Sequence, residues 1–325
     1  MIVSTVAKLL VREHLHKPLP DNVLTLGRQT ISMSYEQVLE LFKQEGYIPP
    51  EKILDNIKPY LDEETRYGKG NNYITDKVFF GLLGIKNIKS MDVTDYENAD
   101  IIHNLNYPIP NDLIGQFDFI IDGGTFDHLF DVRVAFENIV KLLRPGGRIL
   151  QWNAASNFTG AAYISFGPDM FFDYYTINRF ADCKVYIAEV NDPGQQEFWD
   201  FFIFDGNSEY ALFKSNKFQM TVVFAEKDLD STGDIMPVQR QYRDERLTEF
   251  FENSRHNIQK SNRKFWCGNK QQKIPQKSNT NKNFKEYIKN LLLKYTPKII
   301  RKHTPSNIRN FVIGNVNGFY YVGRI

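Results

Sequence analysis

The sequence predicts an α/β protein built on a doubly wound, mostly parallel sheet. Short apolar runs alternate with helical patterns along residues 20–228, which is the order found in βαβ units. The run Phe117–Ile121 is almost continuously apolar and is followed by Asp122-Gly123-Gly124. Such a run between turn residues is typical of a parallel strand that is covered on both faces.

The predicted elements follow one another in a regular order. Asn22–Leu26 is the first strand, and Gly27 begins a tight turn to a helix over Tyr35–Glu45, where Ser34 and Gln37 have the spacing of a capping box. Asp131 caps the clearest helix, which ends before Pro145-Gly146-Gly147. The other predicted strands are Ile88–Met91, Asp100–Ile102, Phe117–Ile121, Arg148–Trp152, Lys184–Val190 and Phe218–Ala225.

Charge divides the chain into two parts. Residues 229–325 contain 19 Lys and Arg but 7 Asp and Glu, so they carry +12, and the rest of the chain carries −11. We therefore predict a domain over residues 1–228, with an inserted loop at 47–74, and a basic C-terminal extension over 229–325. Within the extension, residues 253–283 have the composition of a linker, 284–303 form an amphipathic basic segment, and a hairpin is expected around Asn317-Gly318.

Composition excludes several classes of protein. No apolar run reaches the ~18 residues of a membrane-spanning helix, and the first twenty residues do not have the pattern of a signal peptide. Cys183 and Cys267 are the only cysteines, too few for a disulfide framework or a zinc cluster. This low cysteine content is simplest for a cytoplasmic protein. Because metal-binding motifs are also lacking, we expect no bound metal.

Polar residues and glycines follow several of the predicted strands. Gly27-Arg28, Asp92, Asn104 and Asp122-Gly123-Gly124 each come at a strand end, and open α/β sheets bind ligands at the carboxyl ends of their strands. A carboxylate accepts hydrogen bonds from both hydroxyls of a ribose, so Asp92 suits that role. The alternative is that Asp92 caps a local turn with Thr94 or Asp95.

Residues 117–153, which read FDFIIDGGTFDHLFDVRVAFENIVKLLRPGGRILQWN, resemble the fourth strand, helix and fifth strand of class I S-adenosylmethionine-dependent methyltransferases. Residues 23–42, 88–106 and 217–227 resemble, more weakly, the first strand and helix, the second and third strands, and the last strand. The resemblance covers about residues 20–228. It implies a seven-stranded Rossmann-like sheet, S-adenosylmethionine as the cofactor, and methyl transfer as the activity.

The resemblance also implies roles for the residues at the strand ends. Asp92 would bind the ribose of the cofactor, and Asn104 would lie near the adenine edge. Gly27 would let the main chain approach the cofactor, and the helix that begins near Ser34 would offer N–H groups to the methionine carboxylate. Asp122, Gly123 and Gly124 would border the sulfonium and the substrate entrance.

The first strand–helix turn departs from the family pattern. The chain reads LTLGRQTISMS, so Gly27 stands alone where the family has several glycines. One prediction is that Arg28 pairs with the methionine carboxylate in their place. The alternatives are that Arg28 binds a phosphate, that it is an exposed turn residue, or that the chain no longer binds the cofactor.

His128 is the predicted catalytic base. Asp127 and Asp131 stand on either side of it in the sequence and would orient it, although a histidine at this position also packs beneath the cofactor in the family. Tyr163, Phe171 and Tyr174, in the aromatic segment after the fifth strand, are predicted to line a substrate pocket. The alternative for this segment is a hydrophobic cap that closes the fold.

The predicted function is methyl transfer to a small or glycan-type acceptor in surface-polysaccharide biosynthesis. The alternatives are a non-catalytic binding protein and a protein that binds a nucleotide or a nucleotide sugar on the same fold. For the basic extension, docking against the acidic domain is favoured. Peripheral membrane contact through residues 284–303 is the second interpretation, and nucleic-acid binding is not expected.

Overall fold

The computed structural model describes residues 1–191, 198–206, 211–254 and 319–325, and they form one sheet with helices on both faces. The helices are α1 (Ser4–His16), α2 (Tyr35–Gln44), α3 (Glu51–Asn56), α4 (Asp76–Leu82), α5 (Val132–Leu142), α6 (Pro168–Ile177) and α7 (Glu245–Ser254). The strands are β1 (Asn22–Leu26), β2 (Asn87–Asp92), β3 (Ile101–Ile102), β4 (Phe117–Asp122), β5 (Leu143–Ser156), β6 (Asp182–Val190), β7 (Trp199–Phe204), β8 (Phe218–Glu226) and β9 (Phe319–Arg324).

The sheet has the order β3-β2-β1-β4-β5-β8-β6-β7-β9. The first five strands pair in parallel, and β8 pairs antiparallel with both β5 and β6. This confirms the prediction of a doubly wound, mostly parallel sheet. The first seven strands in this spatial order, which begins at β3 and reaches β6, are the seven that were expected. β7 and β9 are two further strands that continue the sheet at the β6 edge, each antiparallel to its neighbour.

The sheet is buried on both faces because its apolar residues alternate between two cores. In β4, Phe119 and Ile121 pack with α1, α2 and α4, whereas Ile120 packs with α5 and α6. These three side chains have no exposed surface. A strand covered on both sides needs apolar residues at successive positions, which is why β4 reads as a continuous apolar run.

Local sequence signals set the helix boundaries. Ser34 accepts a hydrogen bond from the main-chain N–H of Gln37 and completes the predicted capping box, and Asp131 caps α5 through the N–H of Val134. The connection from β1 to α2 is not the tight turn that was predicted. It runs from residue 27 to 34, and Ile31 pairs with Ile2 in an isolated parallel bridge.

The described part of the C-terminal extension docks on the sheet and on α6. Phe319–Arg324 pairs with β7, and Arg243, just before α7, forms an ion pair of 2.7 Å with Asp173 of α6. The amphipathic segment 284–303, the hairpin at 317–318, Cys267 and nearly all of 253–283 lie outside the described residues. Among the described residues, no helix has the length and apolar character that a membrane span requires.

Candidate functional site

The carboxyl ends of β1, β2 and β4 meet where the strand order reverses. Leu26 is in register with Met91 on one side and with Asp122 on the other. A crevice opens at such a reversal, and it is the usual ligand site of an open α/β sheet. The structure therefore brings together Gly27, Asp92 and Asp122, as the sequence predicted.

Gly27 and Asp92 form one wall of this crevice. Gly27 has φ +73°, a conformation that favours glycine, and a Cβ there would lie 3.7 Å from both Asp92 Oδ2 and Thr125 Oγ1. Asp92 is half-buried, and its Oδ1 accepts a hydrogen bond of 2.6 Å from the N–H of Val93. Oδ2 has no hydrogen-bond partner among the described residues, so it is free to accept from a ligand.

Asn104 follows β3 and organises the loops beside Asp92. Its Oδ1 accepts hydrogen bonds from the main-chain and side-chain nitrogens of Asn106. Asn106 in turn accepts from the N–H groups of Phe130 and Asp131, at 2.9 and 2.8 Å. Asn104 thus connects the loop after β3 to the start of α5, while its amide nitrogen makes no hydrogen bond within the described parts of the chain.

Asp122 has a structural role rather than the contact with the sulfonium and the substrate that was predicted. Its carboxylate has no exposed surface and accepts hydrogen bonds from the N–H groups of Thr125 and Phe126 and from the side chains of Gln151 and Asn153. Burial raises its pKa, and these donors oppose that shift. Asp122 therefore holds the turn that carries Gly123 and Gly124.

Asp127 and His128 lie on that same turn, and the structure brings them together as predicted. His128 Nε2 is 3.6 Å from Asp127 Oδ1. Asp127 Oδ2 accepts a hydrogen bond of 3.0 Å from the N–H of Ala154, whereas Oδ1 is buried without a partner in the described structure. Burial raises the pKa of Asp127 to about 6. Asp127 and His128 are therefore two candidate bases, the first buried with a raised pKa and the second exposed.

Arg28 does not point at a ligand. Its guanidinium is 2% exposed and forms ion pairs with Glu64 at 2.9 Å and Asp76 at 3.5 Å. Both partners come from the segment after α2, so Arg28 ties that segment to the end of β1. The prediction that Arg28 meets the methionine carboxylate, or a phosphate, does not agree with this geometry.

Gln29 is a residue of the crevice that the sequence analysis missed. Its side chain lies across the end of β1, where Nε2 donates to the carbonyl groups of Leu26 and Gly27 and Oε1 accepts from the amino group of Met1. A Cβ at Gly123 would lie 2.7 Å from Gln29 Oε1 and 2.8 Å from a ring carbon of Trp152. Gln29 and Trp152 therefore fill the crevice above Gly123.

The aromatic segment after β5 places two of the three predicted pocket residues in a hydrophobic cap. Phe171 and Tyr174 are buried in the core, where both pack on the ring of Phe136. Tyr163 is 80% exposed. Packing against α5 was not visible in the sequence, which showed only that the segment is rich in aromatic residues.

The order and directions of the strands are those of a doubly wound, Rossmann-like α/β fold. No family model and no curated protein matches the chain.

Several solved methyltransferase structures resemble this one distantly. The methyltransferase domain of the citrinin polyketide synthase has 9% identity and a TM-score of 0.35, over 69% of this chain and 52% of that one. A possible histamine N-methyltransferase from Thermotoga maritima has 11% identity and a TM-score of 0.33, over 68% and 89%. The 1,6-didemethyltoxoflavin-N1-methyltransferase of Burkholderia thailandensis, with S-adenosylhomocysteine bound, has 13% identity and a TM-score of 0.30, over 68% and 78%. The chain spans about half the length of the polyketide-synthase domain.

The crevice suits one half of S-adenosylmethionine better than the other. At the nucleoside end, the free Asp92 Oδ2 and the glycine main chain at position 27 fit a ribose. At the methionine end, Gln29 lies over Gly123, and Arg28 is already paired. Entry of the methionine half therefore requires movement of the Gln29 and Trp152 side chains above Gly123. No group of three or more potential metal ligands occurs among the described residues.

Proposed function

We propose that this chain is an S-adenosylmethionine-dependent methyltransferase that acts on a small acceptor. The observation that carries the proposal is the position of Asp92 beside Gly27 at the point where the strand order reverses. A half-buried carboxylate oxygen without a partner is suited to accept from two ribose hydroxyls, and Gly27 leaves room for the ribose to approach the main chain.

The residues of the crevice divide the work between binding and proton transfer. The cofactor supplies an electrophilic methyl group when it is bound. Asp92 binds the ribose, and the amide nitrogen of Asn104 is available to donate to the adenine ring. Asp127 is ionised above about pH 6 and accepts the proton of an acceptor hydroxyl through Oδ1. His128, at 3.6 Å, favours the ionised form of Asp127.

A second candidate is a binding protein that has lost methyl transfer. Gln29 and Trp152 favour it because they occupy the space above Gly123 where the methionine half would lie. In that case the crevice takes a nucleoside or nucleotide without an amino-acid tail. Its phosphate would have to find a partner other than Arg28, which Glu64 and Asp76 already hold.

Calorimetric titration with S-adenosylhomocysteine separates the two candidates. We expect the wild-type protein to bind in the micromolar range and Asp92→Asn to bind about ten- to a hundred-fold more weakly, the cost of about 1.5–3 kcal/mol for a hydrogen bond to a charged group. Asp95→Asn, an exposed change in the same loop, is the matched control and should bind like wild type. Absence of binding in the wild type, together with binding of adenosine, would favour the second candidate.

The finer features of the function rest on the sequence resemblance. A glycan-type acceptor and a place in surface-polysaccharide biosynthesis remain proposals. Peripheral membrane contact through 284–303 also remains one, because that segment lies outside the described residues. The prediction that nucleic acid is not a partner stays a prediction.

A further inference from the structure

A cavity of about 410 Å³ lies beyond β5 from the crevice, on the face of the sheet that α6 covers. Ser156 at the end of β5 and Gln219 of β8 form its floor, the first residues of α6 form one side, and the rings of Phe204, Phe213 and Phe319 form another. This volume lies within the range of small-molecule sites, about 300–1,000 Å³.

The floor of the cavity carries polar groups that the protein does not use. Gln219 is 4% exposed, yet its amide makes no hydrogen bond with any described residue. The hydroxyl of Ser156 beside it is also without a partner in the described chain. The Gln219 amide therefore faces the cavity with its donor and acceptor groups open to a ligand.

One pair of charged groups at the cavity is satisfied within the protein: Asp173 forms an ion pair of 2.7 Å with Arg243. Arg240 donates a hydrogen bond of 2.9 Å to the carbonyl of Gly206, and Asp169 accepts through Oδ2 from Gln239 at 2.6 Å. The floor therefore offers a neutral amide and a neutral hydroxyl, while Asp169 Oδ1 and the other N–H groups of Arg240 lie at the side, and aromatic rings face the floor. This set suits a neutral ring that carries hydroxyl groups.

The cavity is joined to the candidate base through β5. Ala154 donates its N–H to Asp127 Oδ2, and its carbonyl accepts from the N–H of Phe166, which lines the cavity. Ser156 is two residues further along the strand, roughly 7 Å away. Asp127 does not itself line the cavity, so a bound ring would reach it only through a substituent that extends along β5.

We propose that this cavity binds a neutral sugar ring and is the acceptor site of the enzyme, an inference that rests on the proposed methyltransferase function. Gln219 is the specificity-determining residue, since its unpaired amide binds the ring hydroxyls. A neutral ring fits better than a charged one because the floor residues Ser156 and Gln219 carry no charge.

Saturation-transfer NMR with the full chain tests this proposal. The probes are the methyl glycosides of glucose, galactose and mannose, with uridine and glucuronic acid as comparisons. We expect transfer to at least one neutral glycoside, and a reduction of about fivefold in Gln219→Leu, as for one lost hydrogen bond. Gln116→Leu, an exposed change elsewhere, is the control and should leave the transfer unchanged. Ser156→Ala removes only a hydroxyl and keeps the test open if Gln219→Leu does not fold.

Titration with S-adenosylhomocysteine on the same samples separates the two proposals. Both cavity variants should bind it like wild type. Binding of S-adenosylhomocysteine without saturation transfer to any glycoside would overturn the cavity proposal alone. Glycoside binding that depends on Gln219, without binding of S-adenosylhomocysteine, would support a sugar site and contradict the transferase. Saturation transfer to uridine or glucuronic acid only, or equal saturation transfer in wild type and Gln219→Leu, would overturn the sugar site.

Discussion

Asp127 combines burial with a carboxylate oxygen that the protein leaves without a hydrogen bond. Its side chain is 8% exposed, Oδ2 accepts from the N–H of Ala154, and Oδ1 lies 3.6 Å from His128 Nε2 without a hydrogen bond to any described group. Burial raises its pKa to about 6, so the group is an effective base near neutral pH. Keeping this carboxylate ionised has a cost in the free energy of folding.

Asp127→Asn should therefore stabilise the protein at neutral pH. The folded-state pKa of about 6 is above the unfolded value of about 4, so the wild-type carboxylate lowers stability as the pH rises between these values. At pH 7.5 we expect the free energy of unfolding to rise by about 2–3 kcal/mol in Asp127→Asn, and at pH 3.5 we expect almost no change. Urea unfolding at both pH values measures this, with the exposed Asp112→Asn as control. An equal change at both pH values would contradict the raised pKa.

Gln29 is the residue whose replacement should strengthen binding of the cofactor. Gln29→Ala removes the amide above Gly123 and three hydrogen bonds that wild type must break when the methionine half enters. Because each such bond contributes about 1 kcal/mol, we expect binding of S-adenosylhomocysteine to tighten by about fivefold if one bond opposes entry and by about a hundredfold if all three do, with unchanged binding of adenosine. Calorimetry with both ligands measures the difference. Equal or weaker binding of S-adenosylhomocysteine by Gln29→Ala would show that Gln29 does not obstruct the site.

At the scale of elements, the connection between β1 and α2 replaces a glycine-rich turn with a packed segment. Arg28 is buried between Glu64 and Asp76, and the hydroxyl of Thr30 is 2.6 Å from that of Thr65. These contacts join the end of β1 to the segment between α3 and α4. The segment predicted as an inserted loop is thus packed against the connection that follows β1.

Arg28→Met should destabilise the fold without acting on a ligand directly. Burial raises the pKa of Asp76 and Arg28 opposes that shift, so removal of Arg28 leaves a carboxylate that is 3% exposed without its main countercharge. We expect a loss of about 3–5 kcal/mol in urea unfolding, part of which Asp76→Asn restores in the double variant. Arg133→Met, which breaks an exposed pair with Glu137, should cost less than about 1 kcal/mol. A stable Arg28→Met that loses only cofactor affinity would restore the role predicted from the sequence.

The sequence predicted the elements whose signals are local. The capping box at Ser34, the cap at Asp131 and the apolar run of β4 each depend on residues within a few positions, and the structure confirms them. Roles that depend on distant partners were not predictable. Asp122 is satisfied by Gln151 and Asn153 of another strand, and the carboxylates that bind Arg28 lie 36 and 48 residues further along the chain.

At the scale of the whole molecule, the last residues complete the sheet. β9 pairs with β7, Phe319 and Ile325 are buried, and Arg324 forms a bidentate ion pair with Asp200 at 2.8 and 2.9 Å. The main chain of Ile325 also pairs with that of Trp199. Residues 319–325 therefore belong to the folded domain, although the sequence placed them in a separate extension.

Deletion of residues 319–325 should destabilise the whole domain. β7 would become an open edge strand, and the apolar surface now covered by Phe319 and Ile325 would be exposed. We expect the melting temperature to fall by more than about 5 °C and aggregation to increase in size-exclusion chromatography. Arg324→Ala, which removes only a half-exposed ion pair, should have a much smaller effect. An unchanged melting temperature after the deletion would contradict a structural role for β9.

A crystal structure of the full chain with S-adenosylhomocysteine would show whether the crevice holds the cofactor. We expect both ribose hydroxyls within about 3 Å of the Asp92 carboxylate, the main chain of Gly27 against the ribose, and the Gln29 side chain displaced from above Gly123. Wild type and Gln29→Ala should show the same pose, with fuller occupancy in the variant. A ligand bound away from Asp92, or a crevice in which Gln29 keeps its place and no ligand enters, would contradict the methyltransferase assignment.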